Sequence, residues 1–430
     1  MIKMFQTLAS VMAISGVMAI SSVAGANGVQ VVVQYSQAQI FDPGFAQIKS
    51  EFEAANPGIS ISYRGPQKDY DATIQALLRE SITGEMPDVA YLGLNSFGVA
   101  ADRGLAIDLA PLMAADKSTF EAGGWSASLQ GIGQVGGKQV ALPIALSMPV
   151  VYFNADLVKQ AGGDPNNIPR DWNGLLELAA KIAALGNDVG GIYQSWSTLN
   201  GPWLFQGMVY GAGGEIMEPG TRTVAFGGKD GLMALTLYQR MVDEGHMPVI
   251  NEQAARQQFF AGKIGLFLDS VSRLKSYESA IGDRFGFKTA LYPTPDGKPA
   301  GLVTGGAVGI ITTATDRDPK VKEAAWKFLK YASGPEGTTA IIKTVGYTPV
   351  NTLALDDPAL LKGYFDDKPR HMTAIEQLPQ LREWYQFPGQ NGVKINEVMS
   401  EYLQAVVDKS MSPQAALDEM VSQVNELLEQ

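Results

Sequence analysis

The sequence predicts an α/β protein built as two lobes, and three observations support this class. The chain has 430 residues, 46% of them hydrophobic, which is more than one ordinary core accommodates. Strand-type and helix-type segments alternate as β-α-β-α-β within about 65 residues near the start, a pattern typical of a parallel sheet covered by helices. In residues 140–163, an apolar run, Ser147 and a second strand-like run follow one another, which predicts a crossing between the lobes.

The first lobe begins with this alternating pattern, and its strand ends carry polar residues. Strands are predicted at 29–33, 59–63 and 88–92, with helices around 45–52 and at 71–81. In parallel sheets, ligands bind beyond the carboxyl ends of the strands. Gln34 and Ser36, which follow the first strand, and Asn95, which follows the third, are therefore candidate ligand contacts.

The stretch 193–203 is rich in aromatic and small polar residues and leads into a predicted helix at 203–210. Sugars present hydroxyl groups around their rim and weakly apolar C–H faces, which Trp and Tyr rings can contact. Trp196 and Trp203 are therefore candidates for stacking on a sugar. Core packing is an equal alternative for Trp203, because two apolar residues follow it.

Two later strands also end in candidate contacts. Asp269 and Ser270 follow a predicted strand, and Asp269 could accept hydrogen bonds from two sugar hydroxyls or cap the next helix. Gly305 and Gly306 lie inside a predicted strand at 301–312. There they either expose backbone amides to a ligand or only permit close strand packing.

Residues 1–26 are predicted to be a cleavable signal peptide, with a membrane anchor as the alternative. An apolar run at 8–20 is followed by Ala24-Gly25-Ala26, which has the A-x-A form of a signal-peptidase site. The run is short and interrupted by Ser and Gly, whereas a membrane-spanning helix needs ~20 apolar residues. Export to a Gram-negative periplasm is therefore expected.

The charge balance excludes some partners. The chain has 33 basic and 44 acidic residues, and removing the leader takes away one Lys, so the mature charge is 32 − 44 = −12. Such an acidic protein is not expected to bind nucleic acid or an anionic membrane surface. The chain has no cysteine, so disulfides and thiolate chemistry are absent. We expect a monomer.

Segments spread over nearly the whole mature chain resemble the extracellular solute-binding proteins of ABC importers, in the carbohydrate-binding group that includes maltose- and glycerol-3-phosphate-binding proteins. The matching segments are FEAANPGISI at 52–61, MPDVAYL at 86–92, ALPIALSMPVVYFNADLVKQAG at 141–162, DWNGLLELAAKI at 171–182, FFAGKIGLFLDS at 259–270, GGAVGI at 305–310, AAWKFLKYASGPEG at 324–337 and GYTPVN at 346–351. Each segment alone is a weak signal, but their order and spacing together are specific.

The resemblance implies the type II periplasmic-binding-protein fold, also called the Venus-flytrap fold. In it, each lobe is a mixed, mostly parallel sheet flanked by helices, and a hinge of crossing strands joins the two lobes. The implied lobes are residues 27–145 with 301–347, and residues 146–300 with 348–430. The resemblance also implies that a small-molecule carbohydrate is trapped by hinge closure and passed to the transmembrane subunits of an ABC permease.

Ligand contacts of the glycerol-3-phosphate branch can be carried over to similar positions of this chain. These positions are Tyr70, Ser147, Ser270, Gly305, Gly306 and Tyr347. That branch also has a Glu after the third strand and an Arg near the end of the chain. This chain has Leu94-Asn95 in place of the Glu, and Pro388-Gly389 near the place of the Arg. Without that Arg the planar charged fork suited to phosphate is missing, so a neutral sugar or polyol is expected.

A glycerophosphoester or a sugar acid is the alternative ligand, and Arg64, Arg222 or Arg382 could then supply the positive charge. A secreted glycoside hydrolase is the alternative of another class, and it needs two opposed carboxylates. No motif marks such a pair, and neither His residue has metal-ligand spacing. A purely structural or adhesive exported protein is a third alternative. The sequence therefore predicts a binding protein that is not an enzyme and needs no metal or cofactor.

Overall fold

The computed structural model describes residues 28–125, 127–186, 188–197, 200–389 and 391–430. The predicted signal peptide lies outside these residues. The strands are β1 (Val29–Gln34), β2 (Ile59–Tyr63), β3 (Val89–Gly93), β4 (Gln134–Val135), β5 (Lys138–Gln139), β6 (Leu142–Ser147), β7 (Pro149–Asn154), β8 (Gly190–Gln194), β9 (Ile264–Ser270), β10 (Phe287–Ala290), β11 (Leu302–Val303), β12 (Gly305–Ile311) and β13 (Leu381–Arg382).

Eighteen α-helices are present within the described residues. They are α1 (Ala38–Ala55), α2 (Tyr70–Thr83), α3 (Phe97–Asp102), α4 (Ala110–Ala115), α5 (Lys117–Ala122), α6 (Ala127–Gly131), α7 (Ala155–Gln160), α8 (Trp172–Ala183), α9 (Asn200–Gly211), α10 (Lys229–Asp243), α11 (Glu252–Phe260), α12 (Leu274–Ile281), α13 (Pro319–Ser333), α14 (Pro335–Thr344), α15 (Leu353–Asp356), α16 (Pro369–Gln377), α17 (Gly392–Val407) and α18 (Pro413–Glu429). Three short 3₁₀ helices lie at Val271–Arg273, Thr313–Arg317 and Leu378–Gln380.

Lobe 1 is built on a five-stranded sheet in the order β2-β1-β3-β12-β6. The pairs of β1 with β2 and β3 are parallel, whereas β12 is antiparallel to both β3 and β6. Four strands therefore share one direction and β12 opposes them. Helices α13 and α14 pack on this sheet and on α1, so they belong to lobe 1 although they lie late in the chain.

Lobe 2 is built on a four-stranded sheet in the order β10-β7-β9-β8. Strand β7 is antiparallel to β10 and β9, and β8 is parallel to β9. Every residue of β7 and β9 is buried, as expected for central strands covered on both faces. Helices α8 and α11 contact this sheet, and α9, α10, α17 and α18 pack together beside it.

Helix starts and stops agree with the capping residues in the sequence. Asp69 caps α2 by accepting a hydrogen bond from the Ala72 amide at 2.8 Å, and Gly84 ends the helix with a φ of 75°. Asp171 caps α8 in the same way, accepting from the Gly174 amide at 2.9 Å. The Asp69 cap fixes where α2 begins, and the first residue of that helix belongs to the site described below.

The chain passes between the two sheets at three neighbouring places. Strand β6 ends at Ser147 in the first sheet, and β7 begins at Pro149 in the second. The strand expected at 301–312 is divided: β11 pairs with β13, and after Thr304 the chain continues as β12 in the five-stranded sheet. The third crossing follows α14, where the Thr348 amide donates to the Leu146 carbonyl at 2.8 Å.

The first two crossings lie side by side, because Ser147 pairs with Gly305 in the β6–β12 ladder. Gly306 has a φ of 119°, and a Cβ atom there would lie 2.0 Å from the carbonyl oxygen of Ala145. Only glycine therefore fits at this position of the hinge.

After the third crossing, the chain contacts both lobes. Helix α15 packs on α14, whereas α16 packs on β10. The lobe boundaries given by the sequence stay predictions. Among the described residues, no helix is both long and apolar enough to cross a lipid bilayer.

Candidate functional site

A cavity of about 40 Å³ lies where the three crossings meet, between the two lobes. We call it the cleft cavity. Eight of the residues selected from the sequence line it: Tyr70, Ser147, Trp203, Asp269, Ser270, Gly305, Gly306 and Tyr347. They come from separate parts of the chain, and the crossings bring them together.

Lobe 1 supplies an aromatic wall to the cleft cavity. Tyr70 is the first residue of α2, and Tyr347 lies just after α14. The Tyr70 hydroxyl is buried and lies close to the side chains of Tyr347 and Gln37, which also line the cavity. Burial raises the pKa of Tyr70 well above its ordinary value, so this hydroxyl stays neutral and can donate to a ligand.

The crossing strands form the floor of the cleft cavity. A Cβ atom on Gly305 would lie 2.9 Å from Ser147 Oγ and 3.2 Å from Trp203 Nε1. Any side chain at Gly305 would therefore fill the space between the Ser147 hydroxyl and the Trp203 ring. The missing side chain at this position keeps the floor open to a ligand.

Lobe 2 contributes an indole ring whose polar edge is already bonded. Trp203 Nε1 donates to the Thr304 carbonyl at 2.9 Å, which ties the start of α9 to the second crossing. Its ring lies 6.2 Å from the ring of Trp384, and both residues line the cleft cavity. Of the two roles considered for Trp203, cavity wall and core packing, the structure is compatible with both, because the residue is only 3% exposed.

Asp269 lines the cleft cavity, but its carboxylate is bound within lobe 2. Its Oδ2 accepts from Arg256 Nε at 3.0 Å and from the Tyr277 hydroxyl at 2.7 Å. Its Oδ1 accepts from the amide of Ser270 at 2.7 Å. The cap of the following 3₁₀ helix is the side chain of Ser270, which accepts from the Ser272 amide. The alternative of Asp269 as a helix cap is therefore wrong, and its contact with a ligand stays a prediction.

Arg256 also pairs with Glu252, which binds the polar start of α9. Glu252 accepts from the Ser195 hydroxyl at 2.7 Å and from Asn200 Nδ2 at 2.6 Å. Burial by itself lowers the pKa of Arg256, but Asp269 and Tyr277 have a larger, opposite effect. The pKa of Arg256 is therefore raised above its ordinary value, and the guanidinium stays charged. This network holds Asn200, which lines the cleft cavity, in a fixed orientation.

Residues 47–370 match the family model of the bacterial extracellular solute-binding proteins. The chain belongs to this family. Among similar sequences, it is 26% identical over 422 residues to a putative binding protein of Brucella abortus, which covers 96% of both chains. It is 25% identical over 299 residues to the sn-glycerol-3-phosphate-binding periplasmic protein UgpB of Salmonella typhimurium, which covers 68% of each chain.

Solved structures with the same fold include solute-binding proteins for different ligands. UgpB of Mycobacterium tuberculosis, in complex with glycerophosphocholine, has a TM-score of 0.80 and 22% identity, covering 94% of this chain and 99% of that one. The cyclic α-maltosyl-1,6-maltose-binding protein of Arthrobacter globiformis has a TM-score of 0.78 and 21% identity over the same shares. The predicted two-lobe fold is confirmed, and this solute-binding protein shares it over nearly its whole length.

Four residues selected from the sequence do not line the cleft cavity of this solute-binding protein. Gln34 Nε2 donates to the carbonyls of Tyr35 and Gly65, and Trp196 Nε1 donates to Gln404, so both side chains are bound internally. Ser36 Oγ and Asn95 Oδ1 are buried without a hydrogen-bond partner among the described residues. A ligand contact of Ser36 or Asn95 stays a prediction. Gln34 and Trp196 are not included in the proposed site.

Four cavity residues were missed by the sequence reasoning: Asn200, Ser272, Arg273 and Trp384. A fifth, Gln37, lies in the polar segment 34–37 after the first strand, where the sequence predicts ligand contacts. Arg273 is the most informative of them, because its guanidinium has no ion pair or hydrogen bond within the described part of the chain. The three arginines considered from the sequence do not line the cleft cavity: Arg64 pairs with Glu80 at 2.7 Å, Arg382 pairs with Glu215 at 2.6 Å, and Arg222 lies outside the lining. The sequence offered one signal for Arg273, which is its position three residues after the candidate Ser270.

Proposed function

We propose that this solute-binding protein captures a sugar or polyol in the cleft cavity and delivers it to the transmembrane subunits of an ABC permease. The observation that carries the proposal is the set of hydroxyl, amide and indole groups that both lobes direct to one cavity at the hinge. Related proteins of this fold bind maltose-type sugars and glycerophosphocholine, which supports a polyhydroxylated solute. We infer that the protein acts as a periplasmic monomer, exported by its leader, and without nucleic acid.

The chemistry of the cavity suits a hydroxylated ligand. Ser147, Ser270 and Asn200 offer hydroxyl and amide groups that both donate and accept, as sugar hydroxyls require. Trp203 and Trp384 offer aromatic surface for the C–H faces of a sugar ring. No covalent chemistry or cofactor is needed for this role.

Size indicates how the ligand enters. The cleft cavity has about 40 Å³, whereas pockets for small ligands have roughly 300–1,000 Å³. The described arrangement therefore leaves too little room for a sugar, and the lobes must separate around the three crossings to admit one. Contacts from both lobes then favour closure, and the permease recognises the closed form.

An anionic polyol is the second candidate, and Arg273 is the observation that favours it. An arginine without a carboxylate partner at the edge of a cavity is suited to bind a phosphate or carboxylate. A glycerophosphoester or a sugar acid would place its charge there and its hydroxyls on Ser147 and Ser270.

The cavity argues against a glycoside hydrolase. Such an enzyme needs two carboxyl groups on either side of the scissile bond. Among the described residues that line the cavity, Asp269 is the only one with a carboxyl group, and its Oδ2 already accepts hydrogen bonds from Arg256 and Tyr277. We therefore assign no catalytic role.

A binding screen tests the proposal and separates the two candidates. Neutral sugars, polyols, sugar acids and glycerophosphodiesters are compared by thermal shift, and each hit is titrated by calorimetry, since a bound ligand raises Tm by mass action. If no solute raises Tm, while an oligosaccharide is hydrolysed with turnover, the proposal is wrong.

Arg273→Met identifies the ligand class. We expect the variant to bind a neutral ligand with a Kd within about twofold of the wild-type value. Its binding of an anionic ligand should be weaker by roughly tenfold or more. Arg240→Met is the matched control, because Arg240 pairs with Glu244 on an exposed helix surface and lines none of the cavity.

A further inference from the structure

A second, larger space lies on the other side of the crossing strands. Its volume is about 620 Å³, and we call it the rear chamber. Neighbouring residues of one strand point to opposite faces, and this separates the two spaces. Ser147 and Gly305 line the cleft cavity, whereas Leu146 and Thr304 line the rear chamber.

The walls of the rear chamber are mainly apolar and come from both lobes. Leu94 and Phe97 follow β3 of lobe 1, and Leu355 lies on α15. Leu378 and Leu381, near β13, line it as well. The volume lies within the roughly 300–1,000 Å³ of small-molecule pockets, and such pockets are mostly apolar with a few placed polar groups.

One buried donor has no partner beside this space. Trp384 is 6% exposed, and its Nε1 has no hydrogen-bond acceptor among the described residues. Trp384 lines both the rear chamber and the cleft cavity. A buried N–H group without an acceptor is rare in proteins, which points to an acceptor supplied from outside the chain.

Two charged residues, Arg382 and Glu383, line the rear chamber. Arg382 lines the chamber, but its guanidinium already pairs with Glu215 at 2.6 Å and lies over the ring of Tyr210. Five polar side chains that also line the chamber are hydrogen-bonded within the chain: Gln134, Thr304, Asn351, Thr352 and Gln386. The contacts left for a ligand are therefore mainly apolar side chains, with the Trp384 donor and the Glu383 carboxylate. A polyol, which carries a hydroxyl on each carbon, would leave most of its hydroxyls unpaired against these walls.

We propose that the rear chamber is a second binding site, for a small amphiphile with an apolar chain or ring and one hydrogen-bond acceptor. The acceptor bonds to Trp384 Nε1, and the apolar part covers Leu146, Leu355, Leu378 and Leu381. This site is separate from the one proposed for the transported solute, because the crossing strands lie between them.

The occupant also has a consequence for hinge motion. The two spaces lie on opposite sides of the same three crossings, so a rotation that narrows the cleft cavity widens the rear chamber. The described arrangement has the narrow cavity and the wide chamber. An amphiphile in the chamber therefore favours this arrangement over one with a wider cleft.

Octan-1-ol is the probe for the test, titrated calorimetrically into the full-length mature protein. Leu355→Trp and Leu378→Trp each fill the chamber, and we expect each to weaken octan-1-ol binding by about tenfold or more. Ile82→Trp adds the same ring on the surface of α2, where Ile82 is 87% exposed, and should leave the Kd unchanged. Trp384→Phe keeps an aromatic ring but removes the donor, and should weaken binding by several-fold.

Circular dichroism and Tm establish that each variant is folded before titration. The proposal is overturned if octan-1-ol does not bind the wild type, so that the chamber holds water only, or if both filled variants bind it as the wild type does. Equal binding by Trp384→Phe overturns the assignment of the donor. These outcomes do not depend on the transported solute, since the cleft cavity is left unchanged in the filled variants.

Discussion

At the residue scale, two tryptophans that were both candidates for stacking on a sugar have different surroundings. Trp203 lines the cleft cavity, whereas Trp196 is bound to Gln404 and contacts Tyr193 within lobe 2. We expect Trp203→Ala to weaken binding of the solute found by the screen by roughly tenfold or more, because aromatic surface is lost. Trp196→Phe is the control, and calorimetry should give it a Kd close to that of the wild type. Equal losses in both variants would contradict the assignment.

Asp71 next to Tyr70 gives a pH-dependent prediction. Burial, and then the neighbouring Asp69, raise the pKa of Asp71 from 3.8 to about 6. The folded protein therefore binds this proton more tightly than the unfolded chain, so the stabilisation is present below about pH 4 and is lost as the pH rises through 6.

Asp71→Asn keeps the shape of this side chain but removes its titration. Relative to the wild type, we expect the variant to gain about 1–3 kcal/mol in the free energy of unfolding between pH 4 and pH 7.5. Urea unfolding at the two pH values measures this difference. A variant-minus-wild-type difference that is the same at both pH values would show that Asp71 does not titrate in this range.

At the element scale, the pair of Arg256 with Asp269 joins α11 to β9. The Asp269 side chain is only 3% exposed, so Arg256→Met leaves a buried carboxylate without its cation. We expect a loss of about 3 kcal/mol in the free energy of unfolding, measured in urea. Arg240→Met breaks the exposed pair with Glu244 and should cost about 0.5 kcal/mol or less. Similar costs for the two variants would mean that the buried network contributes little.

The sequence predicted those elements whose signals are local. The helix expected at 71–81 is α2 (Tyr70–Thr83), and Ser147 and Ser270 lie at strand ends beside the cavity. These features depend on hydrogen bonds and periodicity within a few residues.

Long-range pairing was outside the reach of such signals. The predicted strand at 301–312 is divided at Thr304, because β11 pairs with β13, which lies about 80 residues later. The same return of the chain brings Trp384 to the cavity, where no local pattern marked it. Arg273 was missed because an arginine without a partner can be recognised only when its surroundings are known.

At the scale of the whole molecule, the small cleft cavity predicts a change of shape. A cavity of about 40 Å³ is too small for a sugar, so binding requires the two lobes to move around the three crossings. We expect small-angle X-ray scattering to give a larger radius of gyration without the solute than with it at saturation. A sugar that fails in the thermal screen is the control at the same concentration. An unchanged radius on saturation would mean that binding does not close the lobes.

The position of Trp384 gives the protein an optical property. The chain has six tryptophans, and two of them, Trp203 and Trp384, lie 6.2 Å apart beside the cleft cavity. Trp384 also borders the rear chamber, so a molecule in either space alters the polarity around its indole ring. Intrinsic fluorescence can therefore report occupancy of both spaces without an added dye, and the Trp384→Phe variant shows which part of the emission comes from this ring.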